Sequence, residues 1–201
     1  MRELTDDPFY GVVRRYDRCV IDYCLMEDDA PHRGLQSHRD AVLFAMRRAV
    51  ERSIENKRNA GIMWGREVAD VLEPWSYDMD KAEAVHADAA AFLYVPGILR
   101  TDRNGTVFYD CAWESDNSGG MIPYWYAFLE TPHGTAYTPD DFRRVNAALF
   151  PQGTDRLEVC EWSTDWSDYF DAGHEWWGAA CWSVYDPHAG RYAVLLASST
   201  D

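Results

Sequence analysis

Three aspartates in the C-terminal half have a spacing that could hold a metal ion. Asp165, Asp168 and Asp171 recur every third residue, so a helical turn would place their carboxylates roughly along one side. Repulsion between close carboxylates raises their pKa values unless a cation is present, and hard cations such as Ca²⁺ and Mg²⁺ prefer oxygen ligands. A short helix capped by Asp165 explains the same spacing without a metal. We favour the capped helix and therefore predict no cofactor.

A histidine and a glutamate come directly after these aspartates. A histidine beside a carboxylate can act as a general base near neutral pH, which makes His174 and Glu175 the candidate catalytic residues. Adjacent residues of a strand point to opposite faces, so the two side chains need not share a site. If they do share one, the segment from Asp165 to Glu175 indicates a small, metal-assisted hydrolase.

Tryptophans are concentrated in the same part of the chain, since most of the nine lie after residue 100. Trp176 and Trp177 are consecutive, so on a strand one ring faces each side of the sheet. Exposed groups of large aromatic side chains usually mark an interaction surface, whereas a sheet covered on both faces would bury these rings. The candidate binding residues are Trp162, Trp166, Asp165, Asp168, Asp171, Trp176 and Trp177.

The chain is strongly acidic, and this charge argues against two classes of partner. The formal net charge is -15 over 201 residues, and most of the excess negative charge lies after residue 100. Binding to nucleic acid or to an anionic membrane needs a basic face, so we predict neither. A surface that combines carboxylates with tryptophans suits a basic protein partner, because charge speeds association and buried tryptophans supply affinity.

We therefore predict a non-enzymatic binding or inhibitor protein. In its acidic, aromatic-rich composition the chain is similar to small bacterial immunity and inhibitor proteins. The metal-assisted hydrolase is the alternative. A second alternative is a homo-oligomeric structural subunit, in which a homodimer would bury the exposed aromatic side chains.

The usual motifs of enzymes and metal sites are absent from the sequence. No CxxC, HExxH, GxGxxG, GxxxxGKS/T or GxSxG pattern occurs, which leaves an enzyme without motif evidence. Cys111, Cys160 and Cys181 fall on predicted strands, where free cysteines are usually buried and unreactive. The sequence contains no recognisable signal peptide or membrane-spanning run, and its odd number of cysteines argues against a disulfide scaffold. We therefore expect a cytoplasmic protein.

Helical periodicity dominates the first half of the chain. The clearest helix is predicted from the candidate N-cap Ser37 to Arg58, with an apolar stripe from Ala41 to Ile54. Further helices are predicted over residues 62–72 and 78–95. Apolar positions over residues 9–24 also recur at helical spacing, although a strand is the alternative there because Val, Ile, Tyr and Cys are weak helix formers.

Strands are predicted beyond Pro96. Asn104-Gly105 between two apolar runs predicts a hairpin, and a helix is predicted over residues 138–149. Further strands are predicted over residues 122–130, 156–162, 176–185 and 191–197. Helices that precede strands favour an α+β fold. We predict a single domain over residues 1–201 with a soft division near residue 96, in which N-terminal helices pack on a mainly antiparallel sheet of about five strands with one inserted helix.

Overall fold

The chain has an α+β fold in which helices lie on both faces of a six-stranded antiparallel sheet. The computed structural model describes residues 1–63, 74–93, 99–101, 107–109, 124–129, 131, 134, 136–174 and 179–198. The predicted fold class is confirmed, with six strands in the main sheet where about five were expected. This sheet takes strands from both sides of residue 96.

The strands belong to two sheets. In chain order they are β1 (Arg2–Glu3), β2 (Ile21–Glu27), β3 (Ala84–Ala87), β4 (Leu99–Thr101), β5 (Val107–Tyr109), β6 (Glu158–Trp162), β7 (Ala179–Asp186) and β8 (Arg191–Ser198). The main sheet has the order β1-β2-β8-β7-β6-β3, and every neighbouring pair is antiparallel. β4 and β5 pair antiparallel as a second sheet. These two strands of the predicted hairpin are confirmed, whereas Asn104-Gly105 lies outside the described residues.

The helices differ widely in length. They are α1 (Pro8–Val13), α2 (Leu35–Met63), α3 (Ala89–Leu93), α4 (Tyr124–Leu129), α5 (Pro139–Leu149) and α6 (Asp171–His174). Two short 3-10 helices cover Met79–Lys81 and Asp168–Phe170. Across the described ranges, we find no helix with the length and apolar character needed to cross a membrane.

Each face of the main sheet carries its own apolar core. On one side, which we call the α2 face, Val194 of β8 belongs to a buried cluster with Ala45 and Met46 of α2. On the other side, the α5 face, Trp182 of β7 belongs to a buried cluster with Val145 of α5. Side chains alternate along a strand, so the two cores take alternate residues of the same strands. Burial on both faces explains why β7 and β8 are apolar at successive positions.

A tight turn over residues 187–190 joins β7 to β8. Asp186 Oδ1 accepts hydrogen bonds from the backbone N–H groups of His188 (2.9 Å) and Ala189 (3.2 Å). Gly190 has a φ of 63°, a left-handed conformation that glycine adopts at little cost. The predicted turn is confirmed, together with the predicted flanking strands from residue 179 onward.

The clearest predicted helix is confirmed, with different ends. α2 begins at Leu35, so Ser37 lies inside its first turn instead of at the N-cap. The Ser37 Oγ accepts a hydrogen bond from the Arg33 backbone N–H at 2.9 Å. The helix also continues past Gly61 to Met63. A helical glycine costs only about 1 kcal/mol, which a helix of 29 residues tolerates.

Strand pairing overrides the predicted helices in two segments. Residues 21–27 form β2, which pairs along its whole length with β8 and buries Leu25 and Met26 completely. Residues 78–95 divide into a 3-10 helix, β3 and α3, because β3 pairs with β6. For residues 21–24 the strand alternative is therefore confirmed, and the helix predicted over residues 78–95 is wrong at β3, since long-range pairing outweighs a local periodicity. Helix α3 and most of α1 do lie within the two predicted helical segments.

The opposite error occurs at residues 122–130, predicted as a strand. The described part of this segment is helix α4, and all six of its residues are buried. A helix that is buried on every side has no polar face, so its sequence is an uninterrupted apolar run like that of a central strand.

Removing the N-cap of α5 is expected to destabilise the protein by about 1 kcal/mol. Thr138 Oγ1 accepts a hydrogen bond from the Asp141 N–H, and an Asp141 carboxylate oxygen accepts one from the Thr138 N–H at 2.9 Å. Thr138→Ala removes the first of these bonds. Urea unfolding measures the loss, with Thr5→Ala at an exposed turn as the control. Equal stability of the two variants would contradict the assignment of Thr138 as the N-cap of α5.

Candidate metal centre

Two histidines and a glutamate meet on the α2 face of the sheet. His32 lies in the loop before α2, His38 lies near the start of α2, and Glu158 is the first residue of β6. One potential ligand atom from each side chain lies within 4.8 Å of the other two. No other group of three or more His, Cys, Asp or Glu side chains in the described part of the chain meets this criterion.

His38 is the buried member of this cluster. Its Nδ1 lies 2.8 Å from the Ser183 Oγ, which also accepts a hydrogen bond from the Trp162 Nε1–H at 2.8 Å. The His38 side chain is fully buried, and its Nε2 has no hydrogen-bond partner. Buried polar atoms are usually paired, and this unpaired nitrogen is distinguished by the two further potential ligand side chains, His32 and Glu158, that lie beside it.

The charge state of His38 suits a metal ligand. Burial, reinforced by the charge that His32 can carry nearby, lowers the pKa of His38 to about 4. The imidazole is therefore neutral at pH 7, which is the form that coordinates a metal. Protons do not compete for this side chain at neutral pH.

His32 is held between aromatic side chains and the carboxylate. Its Nδ1 lies 2.8 Å from the Tyr192 hydroxyl, and its Nε2 lies 3.1 Å from the Glu158 Oε2. The imidazole stacks on the Tyr185 ring, with centroids 4.0 Å apart and planes 4° from parallel. A hydrogen bond to the distal nitrogen is the usual way in which proteins orient a metal-binding imidazole.

The three side chains form a ligand set of a known kind. Two imidazole nitrogens and one carboxylate oxygen occur in catalytic zinc sites, which keep one coordination position open. Ligands on a tetrahedral zinc with bonds of about 2.0–2.1 Å lie roughly 3.3 Å apart, close to the 3.1 Å between His32 Nε2 and Glu158 Oε2. The Glu158 side chain is 47% exposed, so solvent reaches the cluster from its side.

Stability is expected to fall as the pH falls from 6.5 towards 4, because of His38. Its pKa is about 4 in the folded protein and about 6.5 in an unfolded chain, so the unfolded state takes up a proton first. The resulting contribution to the free energy of unfolding is roughly 3 kcal/mol, and it is fully present above pH 6.5. Urea unfolding in EDTA at several pH values measures it for the wild type and for His38→Gln. The same pH dependence in both proteins would contradict the assignment.

The structure buries the two described tryptophans that were expected to bind a partner. Trp162 is 1% exposed and Trp166 is 2% exposed, both in the core of the α2 face. Their expected place on an accessible surface is therefore corrected, because α2 covers this side of the sheet, which corresponds to the alternative of a sheet covered on both faces. Trp176 and Trp177 lie outside the described residues.

The acidic segment does not gather its carboxylates. Asp165, Asp168 and Asp171 are exposed and form no three-ligand cluster within the residues that the structure describes. Asp168 accepts a hydrogen bond from the Ser76 hydroxyl at 2.9 Å. The expected cap is also displaced, because Ser167 caps the 3-10 helix Asp168–Phe170.

The candidate catalytic pair is described only in part. His174 ends α6 and is exposed, and its Nε2 lies 2.8 Å from the Thr164 Oγ1. Glu175 lies outside the described residues. The geometry of His174 therefore shows a surface hydrogen bond with a threonine.

A cysteine and a histidine also lie close together, but not in a reactive state. Cys160 Sγ is 3.6 Å from His86 Nδ1. Burial, and then the charge of Glu158, raise the pKa of Cys160 to about 11. The thiol therefore stays protonated at neutral pH and is not an activated nucleophile.

Sequence analysis missed all three residues of the candidate metal centre. His32 and Glu158 are separated by 126 positions, so no local motif connects them. The one local signal is the pair His32 and His38 just before and inside a well-defined helix, a spacing that matches no common metal motif.

Comparison with known proteins adds no functional information. The chain matches no protein-family model, no curated protein and no solved structure.

Proposed function

We propose that this protein binds one divalent transition-metal ion through His32, His38 and Glu158. The observation that carries the proposal is the His38 Nε2, a fully buried nitrogen without a hydrogen-bond partner, in a cluster with a second imidazole and a carboxylate. Zinc suits this mixed nitrogen and oxygen ligand set best, because it accepts both ligand types in a tetrahedral arrangement.

A zinc ion held by these three side chains would have room for water or a substrate as a further ligand. A zinc ion with an open position polarises carbonyl and phosphoryl oxygens, which is the chemistry of metal-assisted hydrolysis. The hydrolase alternative drawn from the sequence thus finds support at a different site from the segment between Asp165 and Glu175. Because the Glu158 side chain is partly exposed, a substrate would have access to an ion bound there.

Calorimetric titration of the EDTA-treated, dialysed protein with ZnCl₂ at pH 7.5 tests the proposal. We expect one ion per chain and a higher melting temperature in the zinc form, because a ligand that binds only the folded state stabilises it. Asp168→Asn serves as a control that removes a carboxylate from the acidic segment and should leave zinc binding unchanged. Absence of saturable binding would refute the proposal, and loss of binding in Asp168→Asn would place the ion elsewhere.

A second candidate function is the docking of a basic protein partner. It is supported by the net charge of -15 and by the exposure of Asp165, Asp168 and Asp171 on one segment. Charge of this kind mainly raises the association rate. A purified basic partner should therefore associate more slowly with the triple Asp→Asn variant. Light scattering during gel filtration distinguishes this candidate from a homodimer, and an unchanged association rate would exclude it.

A further inference from the structure

A cavity lies beside the outer edge of β2, away from the candidate metal centre. Its volume is about 390 Å³, and residues of β2, α1 and α2 line it. β1 pairs only with Met26 and Glu27, at one end of β2. Among the described residues, no strand pairs with the outer edge of β2 at Tyr23 and Ile21.

Backbone polar groups of β2 point towards this cavity. The Leu25 carbonyl accepts a hydrogen bond from the Leu4 N–H, and the Leu25 N–H donates one to the Tyr10 hydroxyl, both at 2.9 Å. The N–H and C=O of Leu25 therefore point away from β8. Because the hydrogen-bonding direction of a strand repeats every two residues, the N–H and C=O of Tyr23 and Ile21 point away from β8 as well. The other backbone groups on this edge are the N–H and C=O of Tyr23 and of Ile21, which pair with no strand among the described residues.

The cavity is locally basic in an otherwise acidic protein. Its lining holds Arg14, Arg48 and Arg52 against Glu3 and Asp22, an excess of one positive charge. Arg48 and Arg52 both pair with Glu3, at 2.6 and 3.0 Å. Asp22 accepts a hydrogen bond from the Tyr169 hydroxyl at 2.8 Å.

Arg14 supplies the positive charge that the lining does not neutralise. It follows the last residue of α1 as its C-cap and forms no ion pair with a described residue. An anionic group in the cavity would therefore meet an available guanidinium.

We propose that this cavity binds an extended peptide segment that carries an acidic side chain. The peptide would add a strand to β2, exchanging two backbone hydrogen bonds with Tyr23 and donating a third to the Ile21 carbonyl. The peptide residue opposite Tyr23 points its side chain to the α5 face, where α1 packs, so an acidic residue at this position meets Arg14. An added strand can form hydrogen bonds with the N–H and C=O groups that are spaced along a sheet edge. A small, compact anion cannot reach all of these groups.

Heteronuclear NMR of the ¹⁵N-labelled protein with a synthetic probe tests this proposal directly. The probe is the capped peptide acetyl-Thr-Val-Glu-Val-Thr-amide. We expect it to shift the Tyr23 amide resonance saturably. The same peptide with an N-methylated glutamate lacks one donor, and the peptide with lysine for glutamate lacks the charge. Both should bind at least fivefold more weakly.

Two variants test whether Arg14 contacts the acidic side chain of the peptide. Arg14→Glu should weaken binding of the probe at least fivefold, whereas Arg15→Glu, on the exposed neighbouring residue outside the lining, should change it less than twofold. An unperturbed Tyr23 amide at millimolar probe, equal binding of the N-methylated peptide, or the same shifts with sodium acetate would each overturn the proposal. The titrations are carried out in EDTA, so their outcome is independent of metal binding.

Discussion

Zinc affinity is expected to fall at least about 100-fold when Glu158 is replaced by glutamine, because loss of a group that only orients a metal ligand already costs about 10–100-fold. A neutral amide is a poor metal ligand, so Glu158→Gln leaves the ion with His32 and His38 alone. A 100-fold loss corresponds to about 2.7 kcal/mol of binding free energy. The Glu158 side chain is 47% exposed, so the fold should tolerate the change. Calorimetric titration with ZnCl₂ at pH 7.5 measures the affinity.

Glu55→Gln is the matched control for this variant. Glu55 is an exposed residue of α2, and the same loss of charge there should leave zinc affinity within a factor of two. Equal affinities of Glu158→Gln and the wild type would remove Glu158 from the ligand set.

Trp162→Ala is expected to cost about 3–5 kcal/mol of unfolding free energy. The Trp162 ring is 1% exposed in the core of the α2 face, so truncation leaves a large cavity there. The substitution also removes the Nε1–H that donates to the Ser183 Oγ. Since that hydroxyl contacts His38, the variant should disturb the metal centre as well as the core. Urea unfolding with tyrosine and tryptophan fluorescence measures the loss.

Val85→Ala is the control for Trp162→Ala, because it truncates a side chain on the surface. Val85 of β3 is 57% exposed, and truncation there should change stability by less than about 0.5 kcal/mol. A Trp162→Ala protein as stable as Val85→Ala would contradict the buried position of the ring. It would instead return Trp162 to the surface role expected from the sequence.

The elements that the sequence predicts well are those with local end signals. For α5, the sequence contains the N-cap Thr138, the proline at the first helical position and Asp141 three residues beyond the cap. The helix forms over Pro139–Leu149 with the complete capping box. The turn between β7 and β8 is similarly determined by Asp186 and Gly190.

The elements that the sequence mispredicts or leaves open depend on distant parts of the chain. β2 becomes a strand because β8, more than 160 residues further along the chain, pairs with it. α4 looks like a strand because helices and sheet bury its whole circumference, which removes the polar face that marks an ordinary helix. Neither environment can be read from the segment itself.

The candidate site escapes sequence analysis for the same physical reason. Glu158 reaches His32 only because β6 lies in the sheet beside β7, under the start of α2. The buried tryptophans were misplaced because a helix covers the α2 face, which corresponds to the alternative of a sheet covered on both faces. Counts of tryptophans and carboxylates describe only the composition of the chain. The candidate metal centre depends on which faces of the main sheet are covered by other elements.

X-ray absorption spectroscopy at the zinc edge of the reconstituted protein is the most direct test of the metal centre. We expect a four-coordinate ion with nitrogen and oxygen neighbours at about 2.0–2.1 Å, scattering from two imidazoles, and loss of one imidazole in His38→Gln. A sulfur neighbour at about 2.3 Å, or an all-oxygen shell without imidazole scattering, would contradict it.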